Sequence, residues 1–186
     1  MSNKTRFMTT TALMAAVICV LGPLSIPIGP VPITLQSFAI YLTMYILGAK
    51  RGLAAYLLYL LIGLAGMPVF SGYKSGPSVL FGTTGGYLVG FIPVAIICGL
   101  VFAKHSQNKI LCIITMELST WIAYLTGTLW LAYQANMSFE AALAAGVLPF
   151  IAVDLVKMII CSIIGPVLKQ RLAPFVQLNY ADADNS

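Results

Sequence analysis

The sequence predicts an all-α integral membrane protein with six transmembrane helices and a binding pocket near the extracellular side. Two observations indicate this fold class. Of the 186 residues, 60% are apolar and only 8% are charged, which is unlike a water-soluble domain. The chain also divides into six apolar segments close to the roughly 20 residues that a helix needs to cross a bilayer. These segments cover residues 7–28, 31–48, 52–68, 85–103, 110–134 and 147–168.

The first three segments are bounded by basic residues. Residues 7–28 follow Lys4 and Arg6, a pattern shared with secretory signal peptides. Because five further segments come after it, we expect the first helix to be retained in the protein. The second and third segments are short and meet at Lys50 and Arg51.

The last three segments carry most of the polar residues within the apolar background. The fourth begins at Gly85 after a long glycine-rich loop, and the fifth follows Lys109. The fifth contains Glu117, an intramembrane acid for which we expect a role in packing or in binding a partner. Its aromatic residues Tyr124 and Trp130 could line a cavity, but we expect them in the interfacial aromatic belt.

The basic residues define the expected orientation, because Lys and Arg at span ends favour the cytoplasmic side. Both termini are therefore expected in the cytoplasm. Lys74 lies in a connection on the opposite side, and Lys157 lies inside a span. These basic residues mark helix ends and form no patch, so we expect no nucleic-acid partner. The residues on the cytoplasmic side are Lys4, Arg6, Lys50, Arg51, Lys104, Lys109, Lys169 and Arg171.

The chain is expected to form a single membrane domain over residues 1–172, followed by a polar tail of residues 173–186 that we expect to be disordered. The four cysteines lie inside spans without metal-binding spacing, so we expect no metal and no cofactor. The one histidine, His105, lies in a predicted loop, and no nucleophile or metalloprotease motif is present. An enzyme is therefore not expected.

The first polar stretch, residues 27–38, contains three prolines that prevent a regular helix. Backbone groups without partners are tolerated at membrane depth only against protein or a polar cavity. Thr34 and Gln36 follow the prolines and are candidate binding residues. The alternative interpretation is a rigid loop in which Thr34 caps the next helix.

The second polar stretch, residues 71–91, is a long glycine-rich loop that leads into the fourth helix. Gly85, Gly86 and Tyr87 stand at the start of that helix. A helix N-terminus offers free N–H groups, and glycines let a ligand approach the backbone, so this site suits a carboxylate. The same residue types are also ordinary helix caps, which is the alternative.

The third polar feature is a pair of charges, Asp154 and Lys157, within the sixth span. Residues three apart share a helix face, so the two can neutralise each other or contact one ligand. From the start of the span they are roughly 10 and 15 Å deep. Charges inside a membrane usually mark a pathway or a binding site. A pair that only fixes helix packing is the alternative.

The first helix carries Ala12 and Ala16 at a spacing of four residues. Small residues at this spacing let another helix approach closely. The surface could dock a partner protein or form an internal contact.

Four ordered motifs resemble the BioY family: "GPVPITLQSF", "GMPVFSG", "FGTTGGYLVGF" and "PFIAVDLVKM". The resemblance extends from about Arg6 to Leu172. Members of that family often have a proline where this chain has Thr83, whereas the glycines and the tyrosine that follow are retained.

The resemblance implies a six-helix subunit that binds biotin on the extracellular side. Such a subunit works in the prokaryotic plasma membrane, in an energy-coupling-factor transporter with a transmembrane coupling subunit and two cytoplasmic ATPases. By the same resemblance, Ala12 and Ala16 would dock the coupling subunit.

If the ligand is biotin, Asp154 is expected to accept from its ureido N–H groups while Lys157 donates to its carbonyl. The carboxylate would then point towards Gly85 and Gly86. The inverted pose, with Lys157 on the carboxylate, stays open. Further polar contacts are expected from Thr34, Gln36 and Tyr87.

Three other functions stay open from the sequence. The chain could bind a different small vitamin, carry biotin without partners, or act as an assembly protein that has no ligand.

Overall fold

The computed structural model describes residues 3–176, and this part of the chain is built almost entirely of helices. Five segments are long and apolar enough to cross a membrane, namely α1, α2, α4, α5 and the segment formed by α6 and α7. The all-α expectation is therefore confirmed for the described residues. The helices are α1 (Asn3–Leu21), α2 (Gln36–Leu64), α3 (Pro77–Leu80), α4 (Gly85–His105), α5 (Lys109–Ala135), α6 (Phe139–Gly146) and α7 (Leu148–Val176).

The first helix ends earlier than the sequence pattern predicts. It stops at Leu21, and the rest of the predicted span belongs to a short β-hairpin. The strands β1 (Ser25–Ile26) and β2 (Ile33–Thr34) pair in antiparallel register. Pro23 and Pro27 explain the early end, since proline has no N–H for a helical hydrogen bond.

The helix α2 is divided by Gly48, whose φ of 71° and ψ of −171° are not helical. On the far side of this break, Tyr59 donates a hydrogen bond to Oε1 of Gln36 at 3.2 Å. In one continuous helix these two residues would be about 34 Å apart. The chain therefore reverses direction at Gly48, so that the two halves of α2 pack side by side. Only glycine adopts such a φ without strain.

The helices α4 and α5 form the most extensive interhelical contact of the described chain. Glycines allow this close approach. A Cβ atom added at Gly90 would lie 2.7 Å from Cα of Ala123 and would also collide with the hydroxyl of Thr126. A side chain at this position would force the two helices apart.

A short helix that the sequence analysis did not predict, α6, connects α5 to α7. Ser138 caps it by accepting a hydrogen bond from the N–H of Ala141 at 3.2 Å. Asn136 ends α5 in the left-handed conformation, with a φ of 49°. Together these two residues turn the chain back across one end of the bundle, where α6 meets both α5 and α7.

Basic side chains fix the opposite end of the bundle. Lys169 donates to the carbonyl oxygens of Phe102 at 2.7 Å and Ala103 at 3.2 Å, near the end of α4. Arg51 donates to the carbonyl oxygen of Val176 at 2.7 Å. The last helix ends at Val176, so it includes the first four residues of the predicted tail of residues 173–186. Residues 177–186 lie outside the described part of the chain.

We expect the substitution Gly90→Leu to destabilise the fold. Overpacking a tight core contact costs about 1–3 kcal/mol, which corresponds to a lower thermal midpoint by at least about 3 °C. The matched control is Val89→Leu, because Val89 is exposed on the same helix. The measurement is thermal unfolding of both variants in one detergent. Equal midpoints for the two variants would contradict the packing described for α4 and α5.

Candidate functional site

A cavity of about 490 Å³ lies at the end of the bundle where the β-hairpin and α6 are found. Its wall is formed by the hairpin, the start of α2, the loop before α4 and the facing parts of α4, α5 and α7. Five of the predicted site residues line it: Thr34, Gln36, Tyr87, Asp154 and Lys157.

The floor of the cavity contains a buried ion pair. Nζ of Lys157 lies 2.8 Å from Oδ1 of Asp154, and this is the only salt bridge within residues 3–176. Asp154 is 5% exposed and Lys157 is 7% exposed. Unpaired charges at this depth would cost several kcal/mol each, so the ion pair lowers the free-energy cost of burying both residues.

All three N–H groups of Lys157 are used within the protein. Besides Asp154, the ammonium group donates to the carbonyl oxygen of Thr34 at 2.7 Å and to Oγ of Ser37 at 3.2 Å. The carbonyl of Thr34 is available because the prolines before it keep this strand out of a helix. Lys157 therefore ties α7 to the irregular segment before α2.

The carboxylate of Asp154 still has capacity for a ligand. Oδ1 accepts from Lys157 and from the hydroxyl of Ser37 at 3.3 Å, and Oδ2 accepts from the hydroxyl of Tyr124 at 2.7 Å. An ionised carboxylate has about four acceptor positions, so one is left after these three bonds. The floor of the cavity can thus accept a hydrogen bond from an N–H or O–H group.

Ser37 and Tyr124 belong to this network, but the sequence analysis did not select them as site residues. Tyr124 was expected in the interfacial belt, yet it is 6% exposed and faces α7. A signal was present in the sequence, because Thr120, Tyr124 and Thr128 recur every four residues and all three are buried. Polar residues at that spacing mark one polar face inside an apolar helix.

Gln36 is held at the start of α2. Its backbone N–H donates to the hydroxyl of Thr34 at 3.3 Å, so Thr34 supports the helix start as well as lining the cavity. Tyr59 donates to its Oε1 atom. The amide of Gln36 reaches the cavity in this orientation, and its nitrogen can donate to a ligand carbonyl.

Gly85 and Gly86 are not among the residues that line the cavity. Both are buried, with Gly85 against the carbonyl of Leu80 and Gly86 against Trp130. The turn before α4 also satisfies part of its first turn, since the N–H of Gly85 donates to the carbonyl of Gly82 at 3.2 Å. In this structure Gly85 and Gly86 thus provide close packing, and their contact with a ligand carboxylate stays a prediction.

The walls of the cavity combine apolar and aromatic side chains with polar ones. Tyr87 contributes a ring whose hydroxyl donates to the carbonyl of Gly146 at 3.1 Å, which joins α4 to the end of α6. A ligand that fits this site has a polar end directed to the floor and an apolar body. The other apolar and aromatic lining residues include Val31, Phe70, Val79, Leu88, Phe91 and Phe150.

Ala12 and Ala16 are not part of this cavity. Both lie on the exposed face of α1, and the side chain of Leu13 beside them is 62% exposed. Within residues 3–176 no internal helix covers this face, so the internal-contact alternative does not apply there. No group of three or more His, Cys, Asp or Glu side chains comes together in the described residues.

Comparison with known proteins gives one consistent relationship. The sequence profile of the BioY family matches residues 1–174. The chain is 38% identical over 172 residues to the biotin transporter BioY2 of Lactococcus lactis subsp. cremoris, which covers 92% of this chain and 94% of the relative. It is 36% identical over 165 residues to the biotin transporter BioY of Thermotoga maritima, with 89% of this chain and 96% of the relative covered.

A solved structure has the same fold. It is the 2.1 Å crystal structure of the S-component for biotin from an ECF-type ABC transporter, with a TM-score of 0.84 and 31% sequence identity. The match covers 95% of this chain and 100% of that one. On the family match over nearly its whole length, this chain belongs to the BioY family of multi-pass membrane proteins.

Proposed function

We propose that this protein is the biotin-binding subunit of an ATP-driven ECF-type uptake transporter in the cell membrane. The observation that carries the proposal is the cavity of about 490 Å³ with a buried, hydrogen-bonded Asp154 at its floor. Biotin combines a ureido group, an apolar sulfur ring and a valerate chain, which match the polar floor and the apolar walls. The family relationship supports the same ligand.

In the proposed pose, the ureido ring lies at the floor of the cavity. Asp154 accepts from a ureido N–H, and the salt bridge to Lys157 holds the carboxylate in position. Charge-assisted hydrogen bonds in a dry cavity are stronger than neutral ones. Gln36 supplies a donor for the ureido carbonyl. Lys157 has no free N–H for this role, since it would first have to release Thr34 or Ser37. The same full set of partners argues against the inverted pose, with Lys157 on the carboxylate.

The proposed topology has six spans with both termini in the cytoplasm. The reversal at Gly48 supports it, since it divides α2 into two antiparallel helices. The helix-end basic residues Arg51 and Lys169 gather at the end of the bundle opposite the cavity. By the rule that basic residues favour the inside, the cavity then opens to the outside.

The proposed partners are a transmembrane coupling subunit and the cytoplasmic ATPases. The exposed face of α1 around Ala12 and Ala16 supports a docking role, because small residues let a partner helix approach closely. This subunit would capture the ligand, and its partners would supply the energy for release inside.

The proposed function predicts saturable one-to-one binding of biotin to the purified, biotin-depleted protein. We expect Asp154→Asn to weaken binding by at least about tenfold, since it removes one charge-assisted hydrogen bond. Glu140→Gln is the control, because Glu140 is exposed on α6 and remote from the floor. Calorimetric titration measures both. Folded wild-type protein that does not bind biotin would contradict the proposed function, and direct titrations with other vitamins would then identify the ligand.

A paired substitution separates binding from packing. Asp154→Leu alone leaves Lys157 buried without its counter-ion and should cost about 3–5 kcal/mol of stability. The double variant Asp154→Leu/Lys157→Met removes both charges, so we expect its thermal midpoint to recover while biotin binding stays lost. Retained biotin affinity in the double variant would show that the pair serves only helix packing.

The docking proposal predicts that the double variant Ala12→Leu/Ala16→Leu keeps its affinity for biotin but binds the coupling subunit more weakly. Bulky side chains at a close helix contact cost about 1–3 kcal/mol, which is roughly 5- to 150-fold in association. Leu125→Met, on the exposed face of α5, is the control. Co-purification of the complex measures the effect. Undiminished assembly of the double variant would rule out this docking face.

A further inference from the structure

The mouth of the cavity carries one charged side chain that has no role in the binding pose proposed above. Three charged residues line the cavity, and two of them, Asp154 and Lys157, neutralise each other. The third is Lys74. Within residues 3–176 its ammonium group makes no ion pair, which leaves the lining with a net positive charge. A cavity of that charge suits a ligand with one negative group.

The position of Lys74 is at the outer end of the cavity. A smaller cavity of about 380 Å³ adjoins the main one, and Lys74, Tyr73 and Ser71 line both. These residues therefore stand at the boundary between the enclosed site and its outer approach. The floor with Asp154 lies at the other end, within α7.

The backbone that presents Lys74 is held in an unusual conformation. Gly72 and Tyr73 both have positive φ values, 67° and 60°. A bulky non-glycine residue seldom adopts such a value, and strained positions of this kind concentrate at ligand contacts. Hydrogen bonds fix the turn, from the N–H of Phe70 to the carbonyl of Lys74 at 3.0 Å and from the N–H of Gly72 to the carbonyl of Pro23 at 3.1 Å.

A second polar group on the same turn has no partner. The buried hydroxyl of Ser71 makes no hydrogen bond within the described residues, although Ser71 lines the cavity. Buried polar atoms in folded proteins nearly always find a partner, so this hydroxyl is an exception within the turn. Ser71 therefore adds an unsatisfied polar group to the turn that carries Lys74.

We propose that Lys74 binds the carboxylate of the ligand at the mouth of the cavity, so that the site recognises a monocarboxylate by both of its ends. This proposal rests on biotin being the ligand. It places the carboxylate at Lys74, which lines the cavity, whereas Gly85 and Gly86 do not. The ureido end would then lie at Asp154 and the valerate chain would run between the apolar walls.

The test compares biotin with its neutral primary amide on four proteins. The variants are Lys74→Met, Lys74→Arg and the control Lys50→Met, which removes an exposed lysine remote from the cavity. We expect wild-type protein to prefer biotin over the amide by about tenfold, the scale of one hydrogen bond to a charged group. Lys74→Met should lose this preference by weakening biotin alone, whereas Lys74→Arg and Lys50→Met should keep it.

Two results would overturn the proposal. In one, Lys74→Met binds biotin as tightly as the wild type. In the other, it loses affinity for biotin and for the amide by the same factor, which would indicate a general effect on the loop. Wild-type protein that binds neither compound would instead contradict the proposed function, and this inference with it.

Discussion

The buried ion pair between Asp154 and Lys157 is the interaction on which the rest of the site depends. Two charges inside a membrane helix are tolerated because they neutralise each other and are hydrogen-bonded to neighbouring groups. Their partners come from the irregular strand before α2, through Thr34, and from α5, through Tyr124. The pair therefore joins three parts of the chain at one point, and that point is the floor of the cavity.

The remainder of the cavity follows from where the chain departs from regular helix. Prolines end α1 early and produce the hairpin whose carbonyl at Thr34 accepts from Lys157. The turn at Gly72 and Tyr73 closes the side near the mouth. Irregular backbone of this kind is stable at membrane depth only where it faces protein or a polar cavity. The same features that interrupt the helices thus create a place for a ligand with polar ends and an apolar body.

The sequence was sufficient to predict the parts of the site that depend on short-range pattern. Asp154 and Lys157 are conspicuous in an apolar span, and their spacing of three places them on one helix face. Partners from distant elements could not be predicted, because the roles of Ser37 and Tyr124 depend on how α2 and α5 pack against α7. Glycines at a helix start suit both anion binding and close packing, so Gly85 and Gly86 were predicted to contact the ligand. In the structure they pack against Leu80 and Trp130, and contacts between distant elements could not be predicted from the sequence. The helix α6 was missed because eight residues give too short a pattern.

The most direct test of the central claim is a crystal structure of the protein with biotin bound. If the buried pair exists to hold the polar head of the ligand, a ureido nitrogen will lie within hydrogen-bond distance of Asp154, with the ring between the apolar walls. Biotin bound with its carboxylate at the floor, or bound away from Asp154, would contradict the role assigned to the pair.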